Sequence, residues 1–145
     1  MSLNQVSPSI LSAARITVAF SGLYALTIVN VVVCKFRLLR KAKSEGEPFN
    51  RYESKEMHTA DRLSGNFLEW YPVFMGPLWA MALCGSLTDS GIHAAWTYVG
   101  LRCLYFILMV TFGVGTSGMN PVLWLSTLPA YCCLGVLFAQ ALKLF

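Results

Sequence analysis

His58-Thr-Ala-Asp-Arg62-Leu-Ser-Gly-Asn66-Phe-Leu-Glu69-Trp-Tyr71-Pro72-Val-Phe74 places ionisable and amide side chains at the entrance to a long apolar segment. Read as a helix at roughly 100° per residue, it brings Arg62, Asn66 and Glu69 within about 60° of one another, with His58 in line one turn earlier. Ionisable groups in an apolar span are costly, so they turn toward a bundle interior or a ligand cavity and by default mark a functional site. The stretch predicts a membrane helix with a polar stripe, and the rest of the chain has to shelter it.

Composition agrees with that reading. The 145 residues are 56% hydrophobic and 12% charged, with a mean hydropathy of +0.57, outside the usual range of soluble domains. A single integral membrane domain is expected over residues 1–145. The net charge of +4 does not point to nucleic acid, because seven of the eleven Lys and Arg residues lie between Lys35 and Lys55, in one loop between apolar spans. That clustering follows membrane topology and places the loop on the cytosolic-equivalent side. Glu45, Glu47, Glu53 and Glu56 are interleaved with the cations, which weakens the loop as a polyanion surface. The five cysteines, Cys34, Cys84, Cys103, Cys132 and Cys133, lack the spacing of a metal site or a disulfide framework and read as free, apolar thiols. The opening MSLNQVSPS has no positive n-region or cleavage site, so the first apolar run is expected to be retained as a span.

Four spans follow along the chain, at about 10–34, 58–87, 94–112 and 121–142, each long enough for a hydrocarbon core of about 30 Å. The charged loop is read over 35–57. Arg15 sits near the start of the first span, where it can snorkel to the headgroups, and Asn30 is a candidate bridge to a neighbouring helix. Pro72 and Pro77 predict a kink or loosened turn beyond the stripe. Arg102 lies near the middle of the third span and needs a partner; Glu69, the only carboxylate clearly within a span, is the candidate. Gly113 to Asn120 holds three glycines but no Lys and no preceding strand, so it is not a nucleotide loop. The expected fold is an all-α, four-helix integral membrane bundle.

Most enzyme templates fail on these residues. His58 and His93 are on opposite predicted sides and cannot share a metal, and no Ser or Cys has a base beside it. What the stripe offers is a cation, an amide and an acid in a row, close to the basic loop. A small ligand carrying carboxylates and an ammonium suits those groups, while mutual pairing between helices is the competing structural account.

Arg62-Leu-Ser-Gly-Asn66-Phe-Leu-Glu69-Trp-Tyr71-Pro72-Val-Phe74 resembles the second-helix signature of the membrane-associated proteins in eicosanoid and glutathione metabolism (MAPEG), Arg-x-x-x-Asn-x-x-Glu-x-aromatic-Pro. Arg102-x-x-Tyr105 and the charged first loop extend the resemblance, and the Glu-x-Tyr-Pro form looks closest to the microsomal glutathione transferase 3 branch. The resemblance implies a homotrimer that binds glutathione between subunits near the cytosolic face, with a lipid electrophile or hydroperoxide arriving from the bilayer. Carried over by motif position, Arg62, Asn66 and Glu69 hold the glutathione and Tyr105 assists. A basic residue ending the first span, one of Arg37, Arg40 or Lys41, also contributes. The membrane of the endoplasmic reticulum is the expected location, with a mitochondrial or plastid membrane as the alternative.

Two departures from the family pattern bear on activity. Met109 stands where active members place a second tyrosine. Gly113 to Asn120 contains neither Arg nor Lys where the family's thiolate-stabilising arginine is expected, and Thr116 and Ser117 offer only weaker hydroxyl donors. Two functions are therefore carried forward. One is a glutathione transferase or peroxidase acting on lipophilic electrophiles. The other is a catalytically degenerate member serving as a lipid-binding or structural subunit of a larger membrane complex.

Overall fold

After Pro8 the sequence has no proline and a single glycine, Gly22, before Gly46, and it folds as one helix, α1 (Pro8–Glu45). In the computed structural model, which describes residues 7–114 and 120–145, three more helices follow: α2 (Lys55–Leu83), α3 (Asp89–Phe112) and α4 (Trp124–Ala141). A 3-10 turn, Pro121–Leu123, leads into α4, and another, Leu142–Leu144, follows it. No strand occurs among the described residues.

The stretch Lys35 to Glu45, expected as loop, is helical instead. Its Lys, Arg, Leu and Ala residues are good helix formers, and charge does not stop a helix once it has left the membrane. At 38 residues α1 is roughly 57 Å long, well beyond the hydrocarbon core. It ends where Gly46 takes φ +71°, a left-handed conformation that favours glycine, and the Glu47 amide donates back to the Ala42 carbonyl at 3.0 Å. The true connection is short, and Arg51 spans it with a two-pronged contact to Asp61 on α2, at 2.6 and 3.2 Å.

Side-chain caps set the next helix starts. Ser54 Oγ accepts from the Met57 amide at 3.3 Å, and Thr88 Oγ1 from the Gly91 amide at 3.2 Å. α2 runs unbroken through Pro72 and Pro77, although each removes the amide that would bond the carbonyl four residues earlier. α3 ends at Gly113, whose amide bonds the Met109 carbonyl at 2.9 Å and whose φ of +68° again favours glycine.

The helices pair as two hairpins, α1 against α2 and α3 against α4. Phe20 of α1 sits at their junction, with ring centroids 5.7 Å from Phe67, 5.0 Å from Phe74 and 5.8 Å from Tyr98. Phe74 also stacks on Tyr98 at 4.3 Å. Among the described residues three helices (α1, α3, and α4 with its flanking turns) are long and apolar enough to cross a membrane. Their outer faces carry large exposed apolar side chains such as Val18, Val29, Ile107 and Leu125, as lipid contact requires. α2, expected as a span like the others, is long enough but falls short of them in hydropathy because of its polar stripe. It supplies a large part of the core, including Leu63, Phe67, Phe74, Leu78 and Met81.

Polar groups between α1 and α2 are satisfied in pairs. Trp79 Nε1 donates to Thr17 Oγ1 at 3.0 Å, and the hydroxyls of Ser21 and Tyr71 meet at 3.0 Å. Arg15 is exposed near the start of α1, as snorkelling requires, whereas Asn30 makes no side-chain hydrogen bond among the described residues. Truncating Phe74 to alanine removes the contacts to both Phe20 and Tyr98 and is expected to cost about 3–5 kcal/mol. Thermal unfolding of the detergent-solubilised protein measures it, with Phe74→Leu expected to lose less.

Candidate functional site

The stripe on α2 divides by burial. Arg62 and Glu69 are exposed on the single subunit, and Asn66 between them is half-buried. Facing it, α3 contributes Arg102, only 3% exposed, and Tyr105, 7% exposed. Positions 102, 105 and 109 recur at helical spacing on the inner face of α3, which is why a guanidinium, a phenol and the fully buried Met109 lie along one line.

Arg102 does not pair with Glu69. Its Nη2 donates to Asn66 Oδ1 at 2.7 Å and to the Asn66 backbone carbonyl at 3.3 Å. Glu69 takes part in no ion pair among the described residues. The reason is angular: three residues along a helix turn a side chain by about 60° from its predecessor, which carries Glu69 to the outer edge of the stripe. In place of a carboxylate, aromatic rings surround the cation. The Arg102 Cζ lies 4.4 Å from the Phe67 ring centroid, 5.0 Å from Tyr105 and 5.9 Å from Tyr98. Arg102 Nε and the Tyr98 hydroxyl are both buried without a hydrogen-bond partner among the described residues.

Beside this cluster, Arg62, Asn66 and Tyr105 open together onto a pocket of about 130 Å³. Its other walls come from Met109, Val114, Asn120, Leu123, Trp124 and Thr127. Three of the four residues carried over from the motif therefore converge, and Glu69 is not part of the lining. His58, in line with the stripe by sequence, is exposed and bonds the Tyr52 carbonyl at 2.7 Å, so it belongs to the connection. Asn120, Trp124 and Thr127 were not singled out from the sequence. Asn120 gave one signal: it precedes Pro121, and its side chain caps the following turn by accepting from the Val122 amide at 3.1 Å.

A second, wider groove of about 550 Å³ lies toward the charged end of the bundle, lined by Asn30, Cys34, Arg37, Lys55, Glu56 and Thr59 among others. Arg37 reaches it and pairs with Glu56, while Arg40 and Lys41 are exposed outside its walls. Val114 lines both cavities, and its amide donates to Thr59 Oγ1 at 3.4 Å. Thr116 and Ser117 lie outside the described residues. No set of three or more metal-ligating side chains assembles among the described residues, and all five cysteines are free.

These features define a four-helix membrane bundle with a polar pocket sunk between α2, α3 and the start of α4. The sequence profile of the MAPEG family matches residues 15–142, nearly the whole chain, and the chain belongs to that family. No curated protein and no solved structure matches it.

Asn66 supplies both acceptors that Arg102 finds among the described residues, and Asn66→Ala removes the closer one, leaving the buried charge only the backbone carbonyl at 3.3 Å. The substitution is expected to lower stability by about 2–3 kcal/mol, the worth of a hydrogen bond to a charged group. Glu69→Gln, at an exposed and unpaired position, is expected to stay within about 0.5 kcal/mol of wild type. Chemical or thermal unfolding in the same detergent compares the two.

Proposed function

We propose that the chain binds glutathione at the Arg62–Asn66–Tyr105 pocket and uses its thiol on lipophilic electrophiles or lipid hydroperoxides. The observation that carries this reading is the convergence of those three motif residues on one cavity. Glutathione has two carboxylates and an ammonium. An exposed guanidinium, a carboxamide and a phenol supply donors for the first, and Glu69 just outside the pocket suits the second. Family membership supports glutathione as the co-substrate.

A pocket of about 130 Å³ is small beside the several hundred Å³ of ordinary ligand sites. One subunit therefore encloses part of a tripeptide, and a neighbouring copy completes the site. The exposure of Arg62 and Glu69 fits such sharing, and a homotrimer is the assembly proposed. The groove carrying Arg37 faces the same charged end and is the proposed source of the additional basic contact. The basic end of α1 with its connection is placed on the cytosolic-equivalent side, in the endoplasmic reticulum membrane, with lipids as partners. The Glu-x-Tyr-Pro form of the motif supports assignment to the microsomal glutathione transferase 3 branch.

A second reading rests on the pocket wall. Met109, fully buried, takes the place of a second phenol, and Arg62 is the only cation in the lining among the described residues. With no further cation beside it, a bound thiol stays largely protonated at neutral pH. The degenerate reading, a lipid-binding or structural subunit of a larger complex, predicts binding without turnover.

Glutathione titration of the purified protein, with thiolate absorbance and turnover on an aryl halide and a fatty-acid hydroperoxide, separates the two. Saturable binding is expected, weakened about tenfold, or ~1.4 kcal/mol, by Arg62→Ala. Turnover is expected to rise with pH toward the ordinary thiol value of about 8.5, since deprotonation creates the nucleophile. Saturable binding with no turnover at any pH selects the degenerate reading, and absence of binding removes the glutathione assignment.

A further inference from the structure

A guanidinium has donors and no acceptor, so the Asn66 atom that faces Arg102 Nη2 at 2.7 Å has to be the amide oxygen. The opposite orientation would set donor against donor. Asn66 lines the pocket and Arg102 does not, so anchoring Oδ1 on Arg102 leaves Nδ2 for the pocket side. Nδ2 makes no hydrogen bond among the described residues.

The anchor is strong because Arg102 has few alternatives. It is 3% exposed, faces no carboxylate within ion-pairing distance among the described residues, and keeps Nε unpartnered. A charge-assisted bond to a carboxamide draws electron density from the amide and makes its N–H groups better donors. The same guanidinium lies 5.0 Å from the ring of Tyr105, the polar side chain that α3 contributes to the pocket.

We propose that Arg102 is a positioning residue for this pocket: it locks Asn66 with its amine toward the ligand and steadies the Tyr105 ring. The wall at Asn66 then reads an acceptor oxygen, a carboxylate or peptide carbonyl of the bound molecule. Only the identity of that molecule rests on the glutathione reading.

Asn66→Asp separates this role from a structural one. The carboxylate keeps a partner for Arg102, so the fold is retained or strengthened, but the pocket side changes from donor to acceptor. A purely structural Arg102–Asn66 bond predicts undiminished ligand binding in that variant. The positioning role predicts at least a tenfold weaker glutathione affinity together with a melting temperature at or above that of wild type.

The test uses the full-length protein in lipid nanodiscs with 13C,15N-labelled asparagine. In Arg102→Met the Asn66 side-chain carbonyl signal is expected to move upfield, as it loses its charged donor, and glutathione affinity to fall several-fold. Arg102→Lys, which still donates, restores both in part, and it serves if Arg102→Met does not fold. Adding Arg102→Met to Asn66→Ala is expected to cost less affinity than Arg102→Met costs the wild type, because only the Tyr105 contribution is left to lose. An Asn66 signal indifferent to Arg102, equal losses in both backgrounds, or an Asn66→Asp variant that binds like wild type overturns the proposal. If the Asn66 signal follows Arg102 but wild type binds no glutathione, the glutathione assignment fails and the positioning role is supported.

Discussion

A guanidinium enclosed in the middle of a membrane bundle has to find its compensation inside the protein, because hydrocarbon offers none. Arg102 finds a carboxamide oxygen, one backbone carbonyl and the faces of three aromatic rings, and no carboxylate among the described residues. That constraint reaches through the structure. Asn66 has to lie opposite Arg102, so α2 presents its stripe to α3, and Phe67 next to it is drawn into the core over the cation. Tyr98 and Tyr105, one turn to either side of Arg102 on α3, complete the enclosure.

The two hairpins do different work around this centre. α1 and α2 form most of the aromatic core, with Phe20 as its hub and one hydroxyl pair and one indole-to-hydroxyl bond closing the polar gaps between them. α3 and the start of α4 supply the remaining pocket walls. The pocket lies where these two contributions meet, so its shape depends on how the hairpins dock. Met109 gives it an apolar floor, and Arg62 stands at its exposed rim.

Much of this architecture was legible in the amino-acid order, because apolar run length and charge clustering report on membrane crossing directly. The all-helical bundle, the free thiols and the snorkelling place of Arg15 follow from that kind of signal. The gathering of Arg62, Asn66 and Tyr105 was legible through the motif. The helical end of α1 was not, because a run of Lys, Arg and Glu residues looks the same whether it is coil or a helix emerging into water. Glu69 was misassigned as the partner of Arg102 by counting charges at similar depth, when the deciding quantity was the angle around α2. Asn120, Trp124 and Thr127 enter the pocket through the docking of α4, a tertiary fact with no local pattern.

α2 carries the polar stripe and much of the core, yet it is the helix that falls short of the others in hydropathy. An isolated helix of this composition gains little from hydrocarbon, since Glu69 at its centre and Asn66 a turn before it oppose insertion. α1, with its apolar face and short connection, supplies what α2 lacks. α2 packs along α1, so the placement of the site-bearing helix in the bilayer leans on the helix before it. A defect in the first half of α1 would then act as a trafficking and assembly lesion, with the pocket lost before any ligand could meet it.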